Sequence, residues 1–414
     1  MKKKESKKSL LNRESAEYLR MKEHLLSGAP VLGEDSPFSE LLQDLVNGIM
    51  EGEMDGFLDE EHYQGKFNKR NGHQKPRQVL SNSGSMWIMK PRDRNGDFES
   101  ELLPKRQTEL NSGLDEQILA LYAQGNSYED IRRLLIKMFG VTLSAGKISA
   151  ITDKILPIIE EWRNRRLLAF YAVIYLDAQH FKIRHEGKYE QRASYTVYAV
   201  DMDGERDVLG LYIQGHEGAT RWRKVLEDLE RRGVEDVMVF CTDDLKGFSE
   251  AMSDYYPGAV IQKCIVHAVR ASLRSVDDKD AKKLAAGLRT IYTAADREQA
   301  RIALDTCRVK FGQKYDYIFD KWEQQWDELV AFMDFPQGMR KMIYTTNPVE
   351  ALHRIIRKLI KGKAAWVSDT ALLKQMYVSL MHNEKSWRRR AYGWKEIQRE
   401  IIKLYPERAE KHLR

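Results

Sequence analysis

The feature that most restricts the fold of this chain is a change of period at residue 171. From 114 to 165 apolar residues recur at helical spacing, whereas from Tyr171 onward they run in strand-like stretches. Tyr171–Leu176 is an apolar run ending in Asp177. Ala193–Val200, rich in β-branched and aromatic residues, ends in Asp201, and Asp207–Gln214 reads as a third strand. Asp203-Gly204 between these two is a hairpin signal. Ala219–Arg232 reads as an amphipathic helix with Trp222, Val225, Leu226 and Leu229 on its apolar face. Val237–Cys241 is a fourth strand running into Thr242-Asp243; a helix and a short strand at Ala259–Gln262 follow.

Three antiparallel strands, then helix, strand, helix and strand, is the succession of a ribonuclease-H-like α/β domain. The flanks are helical. Residues 36–64 carry Leu41, Leu42, Leu45, Ile49, Met50, Phe57 and Leu58 at helical spacing, which predicts one or two short helices. Residues 65–112 are dominated by turn signals, with a short strand expected at Ser85–Met89. Leu114, Ile118, Leu121 and Tyr122 predict a helix ending near Gly125. Ser127-Tyr128-Glu129-Asp130 predicts a capping box for a second helix, and Ser144 caps a third. Three short helices with Ser144-Ala145-Gly146-Lys147 at the last start suit a helix-turn-helix entering a major groove, and equally an ordinary three-helix packing unit. Residues 265–340 are strongly helical, and Asn347 with Pro348 starts a further helix over 347–361.

Charge is segregated although the formal net charge is only +6. Glu34 to Glu61 holds ten acidic residues and no Lys or Arg; Lys66 to Arg77 holds five basic residues and no acid. Arg354 to Lys363 adds five basic residues, and Lys385 to Arg414 ten against four acidic ones. Each run alone fits a solvated helix face, but together they favour a nucleic-acid partner through phosphate neutralisation. No run of eighteen apolar residues occurs and no secretory leader follows the basic start, so a membrane span and secretion are not expected. Three cysteines, Cys241, Cys264 and Cys307, cannot all pair, which fits a reducing cytoplasm. No Walker-type loop and no Gly-x-Ser-x-Gly is present, which disfavours ATP use and serine hydrolysis.

Asp177 and Asp243 end two apolar strands that are neighbours in such a sheet, so their carboxylates converge at one edge. With a third carboxylate they suit a pair of hard divalent cations; taken alone, they also suit capping of nearby helices. Glu350, in Tyr344-Thr345-Thr346-Asn347-Pro348-Val349-Glu350, falls in the first turn of its helix, where the dipole favours an ionised carboxylate. Arg354, Arg357 and Lys358 follow one and two turns later, within reach of phosphates. Cys264-Ile265-Val266-His267 offers two zinc-type ligands, but no second pair stands at suitable spacing. It reads instead as a helix start beside the Asp243 strand, with His267 either structural or near DNA and the carboxylates.

These residues resemble the Mutator-type transposases of bacterial insertion sequences, which are DDE recombinases. The resemblance runs from about residue 40 to 405. It rests on Asp201-Met202-Asp203-Gly204-Glu205-Arg206-Asp207-Val208-Leu209-Gly210, Thr242-Asp243-Asp244-Leu245-Lys246-Gly247, Cys264-Ile265-Val266-His267 and Ile343-Tyr344-Thr345-Thr346-Asn347 through Glu350. Pro91-Arg92-Asp93-Arg94-Asn95-Gly96 and Glu101-Leu102-Leu103-Pro104 match the family's N-terminal region. The resemblance implies that Asp177, Asp243 and Glu350 are the catalytic, metal-holding carboxylates. It implies that Cys264 and His267 are the family's Cys-x-x-His signature, and that a helical stretch at about 268–342 is inserted before Glu350. The 107-residue spacing from Asp243 to Glu350 agrees. Three departures stand out: Asp244 replaces the usual Gly, Pro348-Val349 a commoner Ala-Ile, and His353 a commoner Asn. Asp244 could perturb a metal site or bind a water.

The expected organisation is an N-terminal dimerisation and DNA-binding region over 1–112 and a helix-turn-helix-like domain over 113–168. A ribonuclease-H-like core follows over 169–267, an all-helical insertion over 268–342, and the rest of the core with basic helices over 343–414. The expected function is a DNA transposase that binds the terminal inverted repeats of its element, cleaves there and joins 3′-hydroxyls to target DNA with two divalent ions, Mg²⁺ or Mn²⁺. DNA contacts are expected from Lys246, His267, Arg270, Asn347, Arg354, Arg357 and Lys358, and from Lys147 on the third helix. Coordinating two ends calls for at least a homodimer, and the resemblance adds an excised circular intermediate and a place in the bacterial nucleoid. Two rival readings are a silent DNA-binding regulator derived from a transposase and a different ribonuclease-H-like nuclease. The intact carboxylates argue against the first, the long insertion and the Glu350 context against the second.

Overall fold

A computed structural model describes residues 15–29, 31, 36–81, 84–108, 110, 113–139, 141–214, 219–344, 352, 354–358, 363 and 365–412. The chain divides into two compact units, Met1–Lys154 and Ile155–Arg414.

In the first unit, helix Ala16–Leu26 is capped by Ser15, whose hydroxyl accepts from the Tyr18 amide at 3.1 Å. Pro37–Tyr63 forms one 27-residue helix rather than one or two short ones. Gly48, Gly52 and Gly56 do not break it: a Cβ at each would meet nothing within 4 Å. The opposite stripe, Val46, Met50, Met54 and Leu58, is buried, and this packing outweighs a cost of about 1 kcal/mol per glycine. The turn-rich region that follows holds four short strands where one was expected. They are β1 (Arg70–His73), β2 (Arg77–Ser81), β3 (Gly84–Ile88) and β4 (Pro91–Asp93), with β1 paired to β4 and β2 to β3. Their residues are too few and too polar for a period-2 signal to show. Helices Gly113–Ala123, Tyr128–Phe139 and Ala145–Asp153 close around Leu114, Ile118, Ile131, Leu135 and Ile148. The expected box is formed: the Ser127 amide donates to Asp130 Oδ2 and the Asp130 amide to Ser127 Oγ, each at 3.1 Å.

The acidic and basic runs of this unit face each other. Lys66 Nζ lies 2.9 Å from Glu61, Arg70 reaches Asp55 at 2.6 Å and pairs with Glu51, and His73 Nε2 lies 2.6 Å from Glu51. The hydrogen bond from Arg70 holds the Glu51 carboxyl below its ordinary range. Several cations of the 66–77 run are thus engaged by the acidic helix. The acidic block meets this segment of its own chain.

In the second unit, helix Leu156–Asn164 precedes a five-stranded sheet of β5 (Phe170–His185), β6 (Lys188–Val200), β7 (Arg206–Gln214), β8 (Asp236–Thr242) and β9 (Val260–Lys263). Their order is β7-β6-β5-β8-β9. β5, β6 and β7 are antiparallel neighbours, and β8 and β9 run parallel to β5. β5 and β6 extend well beyond the apolar runs, because their outer halves pair as a two-stranded ribbon closed at Glu186-Gly187, both with positive φ.

Helices Ala219–Arg231 and Phe248–Tyr255 cover one face of the sheet. There Trp222 meets Tyr195 edge-on at 4.5 Å and Phe248 at 5.4 Å, pairs worth about 0.5–1.5 kcal/mol each beyond area burial. The other face is covered by helices from two stretches. Asp278–Tyr292, Arg297–Gln324 and Gln337–Tyr344 come from one; Asp369–His382 and Trp394–Leu404 come from the other. Among the described residues no helix is long and apolar enough to cross a membrane. Residues 352 and 354–358 are helical, as expected within 347–361, while the expected cap at Asn347-Pro348 lies outside the described residues.

The expected Asp203-Gly204 turn joins β6 to β7. Asp201 Oδ1 accepts from the amides of Asp203 at 2.8 Å and Glu205 at 2.9 Å. Gly204 has φ +78, and a Cβ there would lie 2.3 Å from Trp394 Cγ. Gly187, with φ +82, faces open space. Gly204→Ala is therefore expected to lower stability by about 1–3 kcal/mol more than Gly187→Ala, since it adds overpacking to the same backbone strain. Thermal melts of the two variants check this; equal shifts would contradict the packing argument.

Candidate active site

The parallel pairing of β5 with β8 ends at Leu176 opposite Thr242. The next residues on the two strands are Asp177 and Asp243. Val173 and Tyr175 on β5, and Val239 and Cys241 on β8, belong to the core under the 265–344 helices. Ile174, Leu176 and Phe240 belong to the opposite core. Strand alternation therefore carries both aspartates to the face beneath those helices. Asp177 is buried, at 9% exposure. It does not end its strand, as the apolar run had suggested; β5 continues through it, paired with Thr196 of β6. What ends there is the β8 pairing. Tyr175, one step back on the same face, donates its hydroxyl to the Met342 carbonyl at 3.0 Å.

Asp243 meets the start of helix Ile265–Leu273. Cys264 is the N-cap residue, and its amide donates to the Thr242 carbonyl at 2.8 Å. His267 lies one turn into that helix, with Nδ1 2.5 Å from Asp243 Oδ1. The contact is poorly aligned, and Nδ1 has no well-formed hydrogen bond. One donor atom from each of Asp243, Cys264 and His267 lies within 4.8 Å of the others. The Asp243 carboxylate, then the Cys264 sulfur, pushes the His267 imidazole up to about 10 against the opposing effect of burial. His267 is therefore an imidazolium at neutral pH.

Asp244 takes a structural part. Its Oδ1 lies 3.0 Å from Lys263 Nζ and accepts from Gln325 Nε2 at 2.9 Å, and its Oδ2 lies 3.0 Å from Lys321 Nζ. Burial would raise this carboxyl, but the hydrogen bonds from Lys263 and Lys321 bring it down to about 2. The residue that departs from the family pattern thus ties the end of β8 to helix Arg297–Gln324. Next to it opens a cleft of about 440 Å³, lined among others by Asp243, His267, Lys263, Arg270, Arg274 and Lys321. Lys263, Arg274 and Lys321 carried no signal in the sequence. Lys321 stands 77 residues from Asp244, and only the helix packing joins them.

The remaining expected site residues fall in several places. Arg270 lines the cleft and is exposed. Lys246 is exposed just past β8, and Arg354, Arg357 and Lys358 are exposed on the 354–358 helical stretch. Lys147 lies in the first unit, on the helix capped by Ser144. Glu350 and Asn347 lie outside the described residues. Ile343 and Leu352, on either side of them, are both buried in the core under Asp177 and Asp243.

A sheet of this order, with two aspartates at the open end of its parallel pair, defines a protein of the α/β class with an acidic edge. A profile of the family described as "Transposase, Mutator family" matches residues 14–390. The transposase for insertion sequence element ISRM3 of Rhizobium meliloti is 36% identical over 391 residues, covering 93% of this chain and 97% of that one. A probable transposase for an ISRM3-like element of Sinorhizobium fredii is likewise 36% identical over 93% of this chain and 97% of its own. A probable insertion-sequence transposase of Corynebacterium diphtheriae is 37% identical, covering 77% of this chain and 98% of that one. The chain belongs to the Mutator family of transposases.

The His267 pairing has a direct readout. The folded-state value lies above the ordinary 6.5, so its contribution to stability is complete below about pH 6.5 and is lost as pH rises through about 10. In the metal-free protein the His267 ring nitrogens, followed by nitrogen NMR, should report an imidazolium at pH 7.5 and titrate near 10. Titration near 6.5 would contradict the pairing.

Proposed function

We propose that the chain is a DDE transposase that binds the terminal inverted repeats of its own insertion sequence, cleaves strands there and joins the 3′-hydroxyl ends to target DNA. The observation that carries this reading is the register of β5 with β8, which brings Asp177 and Asp243 together on one face. On the same reading the sheet is a ribonuclease-H-like core over 169–267 and 343–414, split by an all-helical insertion over 268–342. Residues 1–112 serve dimerisation and DNA binding, and 113–168 read the repeat.

The donor chemistry fits a hard divalent ion. Asp177 and Asp243 offer carboxylate oxygens from adjacent strands, and Glu350 is the third carboxylate by family resemblance. When bound, a pair of Mg²⁺ or Mn²⁺ ions polarises the attacking and leaving oxygens of an in-line phosphoryl transfer. The protein's own residues do the positioning. His267 pairs its charge with the Asp243 carboxylate. Asp244 ties the β8 end to the insertion through Lys321 and Gln325, and to the end of β9 through Lys263. Lys246, Arg270, Arg354, Arg357 and Lys358, with Asn347, grip phosphates near the site, and Lys147 contacts the repeat. Joining two ends requires at least a homodimer working on nucleoid DNA in the cytoplasm, and joining passes through an excised circle.

The test is a strand-transfer assay on the element's ends with Mg²⁺. Asp177→Asn, Asp243→Asn and Glu350→Gln should each lower cleavage and joining by on the order of 100-fold or more, because each removes part of a charge clamp worth several kcal/mol. Gel-shift binding to the ends should persist in all three. Unchanged cleavage in Asp177→Asn or Glu350→Gln overturns the assignment.

A further inference from the structure

Cys264 and His267 lack a second ligand pair in the sequence, but the fold supplies a third donor. We propose that Asp243, Cys264 and His267 form a binding site for a borderline-soft divalent ion of the Zn²⁺ class, and that this ion, by taking Asp243, blocks metal-dependent strand cleavage. The binding half stands on geometry alone; the inhibitory half rests on the reading of Asp243 as a carboxylate that holds Mg²⁺.

The three donors come from two chain segments that are clamped together. The Cys264 amide is bonded to the Thr242 carbonyl at 2.8 Å, which fixes the helix start against the residue preceding Asp243. His267 follows Cys264 by three positions, so both project from one side of the first helical turn. One donor atom of each of the three lies within 4.8 Å of the others. Tetrahedral zinc with bonds of about 2.0–2.3 Å sets its ligands roughly 3.5 Å apart, so closing the site takes an adjustment of about 1 Å. Side-chain rotation supplies that. The His267 Nδ1 atom lies against Asp243 without a well-formed hydrogen bond, so once an incoming ion displaces its proton this nitrogen becomes the third donor.

The donor set also decides the ion. Nitrogen and sulfur ligands rank Zn²⁺ far above Mg²⁺, which takes oxygen and keeps its waters. Three protein ligands leave a fourth position, which here faces the 440 Å³ cleft where a water can sit. The cleft also provides the entry path. Binding releases the thiol proton and any proton on the ring nitrogen to solvent, and no redox step is involved. One carboxylate oxygen of Asp243 is then committed to the soft ion.

The experiment adds Co²⁺ to the metal-free full-length protein as a spectroscopic stand-in for Zn²⁺. The expected result is a thiolate-to-cobalt charge-transfer band with tetrahedral d–d bands at one ion per chain, removed by Zn²⁺. Cys264→Ser should lose the charge-transfer band while keeping its fold, checked by circular dichroism, because serine is a good N-cap. His267→Gln should weaken binding at least tenfold, and Cys307→Ser, in another helix, should leave the band intact. In the strand-cleavage assay with excess Mg²⁺, stoichiometric Zn²⁺ should slow the wild type at least tenfold. Absence of the band, or its persistence in Cys264→Ser, overturns the site. Full-rate cleavage by the zinc-loaded protein overturns the inhibition. A cobalt band in a protein that never cuts element ends supports the site and counts against the function proposed above.

Discussion

The structure of the second unit depends on the pairing of β5 with β8. It is the one place where an antiparallel three-stranded sheet is joined to a parallel extension, and both of its faces are buried. Parallel strands need crossover connections, here through helix Ala219–Arg231, and are stable only when helices cover them. Because β8 stops at Thr242 while β5 continues, the sheet has a notch, and the two aspartates stand on either side of it. From the helices that cover this face, Lys321 and Gln325 reach Asp244 beside the notch.

Electrostatics in this chain is local. A net charge of +6 says little, because many of the charges are paired within their own unit. The acidic helix Pro37–Tyr63 engages Lys66, Arg70 and His73, and Arg408 of the C-terminal run is held by Asp236 at 2.6 Å. The basic groups around the 440 Å³ cleft divide between two tasks. Lys321 pairs with Asp244 and Lys263 with both Asp244 and Glu328, while Arg270 is exposed. Exposed ion pairs stabilise by about 0–1 kcal/mol each, so the value of the Asp244 network lies in fixing the β8 end rather than in raw stability.

Much of the sheet could be read from residues alone, because continuous apolar runs bounded by Asp-Gly and Thr-Asp are strong strand signals. The core portions of all five strands of the second unit were legible, as were the Ser127 and Ser144 caps. The outer halves of β5 and β6 were not, since Lys188–Arg192 is polar and paired only as a ribbon. β1, β2 and β4 were hidden by the same turn residues that make them short. The adjacency of Asp177 and Asp243 followed from the order of elements, and the Cys264–His267 spacing from a single helical turn. That Asp243 completes this pair, and that Asp244 reaches Lys321, depends on packing between segments far apart in the chain, which no local period encodes.

The central claim is that Asp177 and Asp243 act together on one hard metal. Its most direct measurement is anomalous diffraction from crystals of the full chain bound to an element end and soaked in Mn²⁺. The account predicts an anomalous peak about 2.0–2.2 Å from a carboxylate oxygen of both Asp177 and Asp243, the distance expected for a small hard ion. A peak that touches only one of them, or none, would contradict it.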